Sequence, residues 1–186
     1  LSEASNTPVM LEMRVRSCHM TGSFVAKENR RPAMTVGDAA ERPTRDLDRI
    51  VLPPAIFLHE IEKVERRWPA AQAFIRDNRL NEWFGPERDE IGIIVQGGLF
   101  NTLNRALELA GLSDTWGGTK LPVYCLNAVY PLIVDEVTQF CAGKKAVLVL
   151  EEGQPEFIEH ELSSILRRAD LNTRIVGKEV MPRAGE

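Results

Sequence analysis

The sequence predicts a three-layer α/β/α domain with a mainly parallel sheet, and three observations carry that prediction. Short apolar runs alternate with amphipathic stretches through residues 91–178. The turns between them are short and hold glycine or proline. The apolar runs are continuous rather than alternating, as expected of strands covered on both faces.

The elements follow in order. Ile91–Val95 is an unbroken apolar run, read as a buried strand. Gly97-Gly98 turns the chain into a helix whose apolar face is Leu99, Leu103, Leu107 and Ala110, stopped near Gly111. Leu121–Val129 is the next strand. Val134–Cys141 is a helix with Asp135 and Glu136 in its first turn and Gly143 at its C-terminal cap. Ala146–Leu150 is a buried strand ending in Glu151-Glu152-Gly153. Pro155 marks the start of a helix with the face Ile158, Leu162, Ile165 and Leu166, and Arg167 and Arg168 complement its C-terminal end. Arg174–Val176 is the last strand. Strand–helix alternation of this kind implies right-handed crossovers.

The first half has a different texture. Val9, Leu11, Met13 and Val15 alternate with charged residues, which predicts a half-buried strand over Val9–Arg16. Residues 27–49 are charged and punctuated by Pro32, Gly37 and Pro43, the pattern of a linker. Pro53-Pro54 then precedes a helix with Phe57, Ile61, Val64 and Trp68 at helical spacing, a packing stripe. Pro69 interrupts it, a second helix runs from Ala70 to about Trp83, and Gly85-Pro86 closes the segment. The resulting division is 1–26, an orphaned strand; 27–90, a linker with helices; and 91–186, the α/β domain.

Composition narrows the function. The chain has 186 residues, 44% of them hydrophobic, and a net charge of −4. That balance supports a packed core and gives no electrostatic case for nucleic acid or an anionic membrane. No apolar run is long enough to span a bilayer. Cys18, Cys125 and Cys141 are odd in number and widely spaced, which predicts free thiols in the reducing cytoplasm. No metal ligand set is spaced for zinc or an iron–sulfur cluster. The chain starts at Leu1 without Met, which leads us to expect a piece of something larger.

Candidate chemistry is sparse. Gly97-Gly98 sits at a strand-to-helix turn, which reads as a tight turn, with an anion held on free N–H groups as the functional alternative. Glu151 and Glu152 end a strand but point to opposite faces, so they read as solvated or partner-facing carboxylates rather than an acid–base pair. Cys18-His19 is a poor nucleophile–base couple because the two are sequence neighbours. Arg16 or His19 facing a charged group on an adjoining domain is the better functional reading. His59 and His160 are isolated on helices. The Trp116-Gly117-Gly118-Thr119 loop reads as a loop with Trp116 tucked against the sheet, or else as a lid. No catalytic residue and no metal site emerges.

The ordered run of motifs is more informative. The stretch from Pro8 to His19 with Gly22 resembles the closing strand of the first domain in thiamine-diphosphate-dependent 2-oxoacid:ferredoxin oxidoreductases. Leu52-Pro53-Pro54 and the following helix resemble the linker beyond it. The segments from Ile91 to Gly98, Asp114 to Gly118, Leu126 to Leu132 and Ala146 to Pro155 resemble the next domain. The pattern is most like the indolepyruvate ferredoxin oxidoreductase branch, as an alpha subunit or a fused form. The resemblance implies a transketolase C-terminal-like fold for residues 91–178. It also implies oxidative decarboxylation of an aryl pyruvate to an acyl-CoA, with ferredoxin as electron acceptor. Thiamine diphosphate, Mg2+ and iron–sulfur clusters belong to the intact enzyme, and the motifs that would hold them are missing here. The implied role is therefore a non-catalytic interface domain, with neighbouring thiamine-binding domains and a second subunit as partners; the unpaired strand over Val9–Arg16 adds a second copy of the chain as an expected partner. The C-terminal domain of another thiamine enzyme, such as a transketolase or 2-oxoacid dehydrogenase, and a stand-alone module binding a small anion at Gly97-Gly98 are the alternatives.

Overall fold

The computed structural model describes residues 1–13, 15–19, 21–23, 25–26, 33–41 and 50–180. The chain divides into two compact units, Leu1–Phe74 and Ile75–Glu186.

The first unit is helical among its described residues. It holds α1 (Ser2–Ser5), α2 (Val15–Cys18), α3 (Val36–Glu41) and α4 (Ala55–Glu62). A widened turn, Lys63–Arg67, joins α4 to α5 (Trp68–Asp77). Pro69 therefore does not end the helix. A proline ring crowds the carbonyl four residues earlier, and the turn ahead of Pro69 is π-helical, the form that accommodates such an obstacle. The packing stripe is only partly covered: Ile61 and Trp68 are half-buried, whereas Phe57 and Val64 are exposed. No strand forms among the described residues of the stretch Val9–Arg16. Residues 8–13 run without regular structure, and Val15 and Arg16 enter the turn of α2. A strand needs a neighbour for its backbone groups, and among the described residues no ladder pairs with this stretch. The side chain of Arg16, all of Arg14, and residues 27–32 and 42–49 of the linker lie outside the described residues.

The second unit is the α/β domain. Its elements are β1 (Glu82–Phe84), β2 (Ile91–Gln96), α6 (Phe100–Leu109), β3 (Val123–Leu126), α7 (Val134–Cys141), β4 (Ala146–Leu150), α8 (Phe157–Arg168) and β5 (Arg174–Val176). The strand order is β1-β3-β2-β4-β5, parallel throughout except for β1, which runs antiparallel to β3. The fold class is thus α/β as expected. The chain differs from expectation at β1, because Trp83 lies in a strand and not in a helix. Helix α5 stops at Asp77, with Arg79 in the left-handed region and Leu80 N–H returning to the Ile75 carbonyl. Trp83 then packs edge-on against Tyr124 and Phe140, with ring centroids 5.6 Å and 5.7 Å away.

The continuous apolar runs have a simple cause. Ile94, Tyr124, Leu126, Val147 and Val149 point to one face, where they pack with α7 and α8. Ile93, Val95, Val123 and Cys125 point to the other, against Leu103 and Leu107 of α6. Helices cover both faces, so the inner positions of β2, β3 and β4 are hydrophobic on both sides of the sheet. At Gly85 the φ of +79° and the close Leu121 carbonyl, 2.3 Å from where a Cβ would sit, leave room for glycine alone. No helix among the described residues is long and apolar enough to cross a membrane.

Candidate functional site

The connection after β2 goes to β3 on one side, and the connection after β4 goes to β5 on the other. The outgoing helices α6 and α8 lie on opposite faces of the sheet. A crevice opens at such a switch point, beyond the carboxyl ends of the two strands. It is present here as a cavity of about 490 Å³, with Gln96 from the end of β2 and Glu151 to Pro155 following β4 on its walls. Val129 and Tyr130 close it from the β3 side, and Phe157, Ile158 and Glu161 of α8 close it from the other.

Polar side chains fix the geometry. The Glu151 carboxylate accepts the N–H groups of Ile158 and Glu159, at 3.0 Å and 3.1 Å, so it neutralises the amino end of α8. Gln96 Oε1 accepts the Glu152 N–H at 3.0 Å and ties β2 to the loop after β4. Asn81 Oδ1 accepts the Ala128 N–H at 2.9 Å, which sets the loop carrying Val129 and Tyr130. Asn81 Nδ2 donates to Tyr124 Oη at 3.1 Å, and Tyr124 Oη donates to Glu136 Oε2 at 2.6 Å. Burial, and then the bond to Glu136, push the Tyr124 phenol far above its usual range. The phenol is therefore a fixed donor.

Of the residues singled out from sequence in the α/β unit, Glu151 and Glu152 line the cavity. Gly97 packs so closely on β3 that a Cβ there would lie 2.8 Å from Asn127 Oδ1. Gly97 and Gly98 form the single turn that leads into α6. Cys18 and His19 are both exposed. Trp116 is 93% exposed and not tucked against the sheet. Its loop is held from within, because Asp114 Oδ1 accepts the N–H groups of Trp116 and Gly118, each at 2.8 Å. Glu151 is a helix cap, a role absent from the sequence reading because its partners lie seven and eight residues on. Only the recurrence of a carboxylate ahead of Pro155 and the α8 face hinted at it.

Cys141 and Cys125 sit in the cores on opposite faces of the sheet. Burial raises their thiols to about 12 and about 11, with Glu82 adding to the rise at Cys125 and Lys144 offsetting part of it at Cys141. Both are protonated at neutral pH. No group of three or more His, Cys, Asp or Glu residues suited to a metal ion occurs among the described residues.

No family model matches the chain. It is 30% identical over 184 residues to the indolepyruvate oxidoreductase subunit IorA of Methanothermobacter thermautotrophicus, covering 96% of this chain and 27% of that subunit. The IorA subunit of Methanothermobacter marburgensis is 29% identical, with the same coverage. That of Archaeoglobus fulgidus is 27% identical over 86% of this chain and 23% of its own length. Among solved structures, the 2-oxoglutarate:ferredoxin oxidoreductase of Magnetococcus marinus, with 2-oxoglutarate, coenzyme A and succinyl-CoA bound, aligns with a TM-score of 0.46 and 20% identity. The alignment covers 69% of this chain and 21% of that one. The resemblance read from the motifs is thus found in whole sequences: this chain is a relative of the indolepyruvate oxidoreductase IorA subunits, matched along nearly all of its own length and about a quarter of theirs.

Proposed function

We propose that this chain is a structural, interface-forming domain of an oxidoreductase that oxidatively decarboxylates an aryl pyruvate such as indolepyruvate to its acyl-CoA, passing electrons to ferredoxin. Thiamine diphosphate, Mg2+ and iron–sulfur clusters are held by other parts of that enzyme. The transketolase C-terminal-like unit positions those parts and a second subunit, and a second copy of the chain is a further partner. The observation that carries the reading is the placement of large apolar side chains in the open. Phe57, Leu58 and Val64 are exposed on the first unit, and Trp116, Tyr130 and Phe157 on the second. Tyr130 and Phe157 line one cavity, and apolar side chains grouped in this way belong to contact surfaces.

The chain's own polar groups support the same reading. A diphosphate needs free N–H groups at a helix start. At α8 those groups already bond to Glu151, and a Cβ on Gly97 would lie 2.8 Å from the acceptor Asn127 Oδ1. We therefore assign Gly97 to packing and Gly98 to the turn that leads into α6. Cys125 and Cys141, divided by the sheet, do not fit a shared cluster. Arg16 and His19 remain the residues proposed to face an adjoining domain.

Calorimetric titration of the chain with thiamine diphosphate and Mg2+ tests the reading. The expected result is no heat of binding; saturable one-to-one binding at micromolar concentration overturns it.

A further inference from the structure

The cavity at the switch point holds two polar side chains that the proposed role leaves unused. Its other polar groups are engaged. Glu151 caps α8, Glu152 and Tyr130 have contacts of their own, and the Lys178 ammonium donates to the Gly153 carbonyl at the rim. Gln96 and Glu161 differ; both are half-buried and both line the cavity. Gln96 Oε1 accepts the Glu152 N–H, which leaves the two Nε2 donors of Gln96 without a partner among the described residues. The Glu161 carboxylate, an acceptor only, likewise has no hydrogen bond or ion pair among the described residues. Glu161 follows Phe157 by one turn of α8 and shares its face. Phe157 is 70% exposed, and Val129 and Pro155 add further apolar wall.

A donor and an acceptor within apolar walls select a ligand by hydrogen bonding. Small-molecule sites span roughly 300–1,000 Å³ and use a few polar groups in this way to orient an apolar body, and this cavity has about 490 Å³. A ligand that satisfies both groups offers a carbonyl to Gln96 and an N–H to Glu161, which a primary carboxamide does with neighbouring atoms. Charged ligands fit less well. A carboxylate meets Glu161 as a like charge, and a phosphate finds the α8 N–H groups taken by Glu151. A cation has only Glu161 to pair with and meets Lys178 at the rim.

We infer that this cavity binds a small, uncharged aromatic carboxamide. The ligand carbonyl accepts from Gln96 Nε2, its N–H donates to Glu161, and its ring lies on Phe157. This goes beyond the interface reading, which keeps Phe57, Leu58, Val64 and Trp116 whatever fills the cavity.

The test titrates the full chain with naphthamide, N,N-dimethylnaphthamide and naphthoate, followed by ligand-observed NMR. Naphthamide is expected to saturate one site, with the dimethyl amide, which has no N–H, about tenfold weaker. Naphthoate should be weaker by at least as much, because it brings a second negative charge to Glu161. Glu161→Gln gives the cavity a donor in place of the charge. It should weaken naphthamide, tighten naphthoate about tenfold, and leave the melting temperature where it was, since Glu161 bonds to nothing in the folded chain. Gln96→Glu keeps an acceptor for the Glu152 N–H but removes the donor, and should weaken naphthamide about tenfold. Absence of saturable naphthamide binding up to about 1 mM overturns the proposal, as does equal binding of the two amides. So does a preference between amide and acid that Glu161→Gln leaves unchanged. None of these results touches the interface reading, which the thiamine diphosphate titration decides.

Discussion

Replacing Glu151 with alanine removes both acceptors from the start of α8. The Ile158 and Glu159 N–H groups lose a charged partner at 3.0 Å and 3.1 Å, and Glu156 at the N-cap position supplies no side-chain bond in its place. Loss of a helix cap costs about 0.5–2 kcal/mol. Loss of the charge beside the helix terminus adds about 0.3–1 kcal/mol. Water reaches this partly exposed end and recovers some of both, so we expect about 2 kcal/mol. At roughly 2–4 °C per kcal/mol for a chain of this length, the melting temperature falls by roughly 4–8 °C. Glu151→Gln, which retains one acceptor without charge, should fall about half as far. Scanning calorimetry of the two variants and the parent measures this. A Glu151→Ala midpoint within 1 °C or so of the parent refutes the capping role and returns Glu151 to the solvated carboxylates.

Other outcomes follow from the same contacts. Gly85→Ala forces a Cβ onto the Leu121 carbonyl at positive φ; it should cost about 1–3 kcal/mol and alter Trp83 fluorescence, because Gly85 directly follows β1, which carries Trp83. Tyr124→Phe leaves Asn81 and Glu136 without their shared hydroxyl and should cost about 1–3 kcal/mol in urea denaturation. Ellman's reagent should titrate one thiol rapidly, Cys18, and reach Cys125 and Cys141 only in denaturant. Folded-state thiol values near 11 and 12 lie above the ordinary 9.0, so the unfolded chain loses those protons first. Their contribution is complete below about pH 9 and fades as pH rises toward 11. A urea midpoint that is flat from pH 8 to 10.5 contradicts this, and Cys141→Ala should make the decline shallower.

Much of the α/β unit was legible in the sequence. Val134–Cys141, Ala146–Leu150 and Arg174–Val176 have the bounds read from their apolar patterns, because helix faces and two-sided strands leave strong periodic marks. Strand β1 was not legible. It has three residues, no strand pairs with its outer edge among the described residues, and it follows a helix whose end is set by a left-handed Arg79 and not by glycine. The strand expected over Val9–Arg16 shows the converse: alternation marks a face but supplies no partner. The candidate site was the least legible part. The cavity depends on strand order, which brings Gln96 beside Glu152 across 56 residues, and no local pattern encodes that neighbourhood.

The central claim is that this chain supports an IorA-type oxidoreductase without performing its chemistry. The direct measurement is a chimera in which this chain replaces the matching stretch of the Methanothermobacter thermautotrophicus subunit, assayed for indolepyruvate-dependent reduction of a viologen dye. The account predicts that the chimera assembles and turns over, that deletion of the stretch abolishes assembly, and that the chain alone is inactive. Turnover by the chain alone, or undiminished turnover by the deletion, would contradict it.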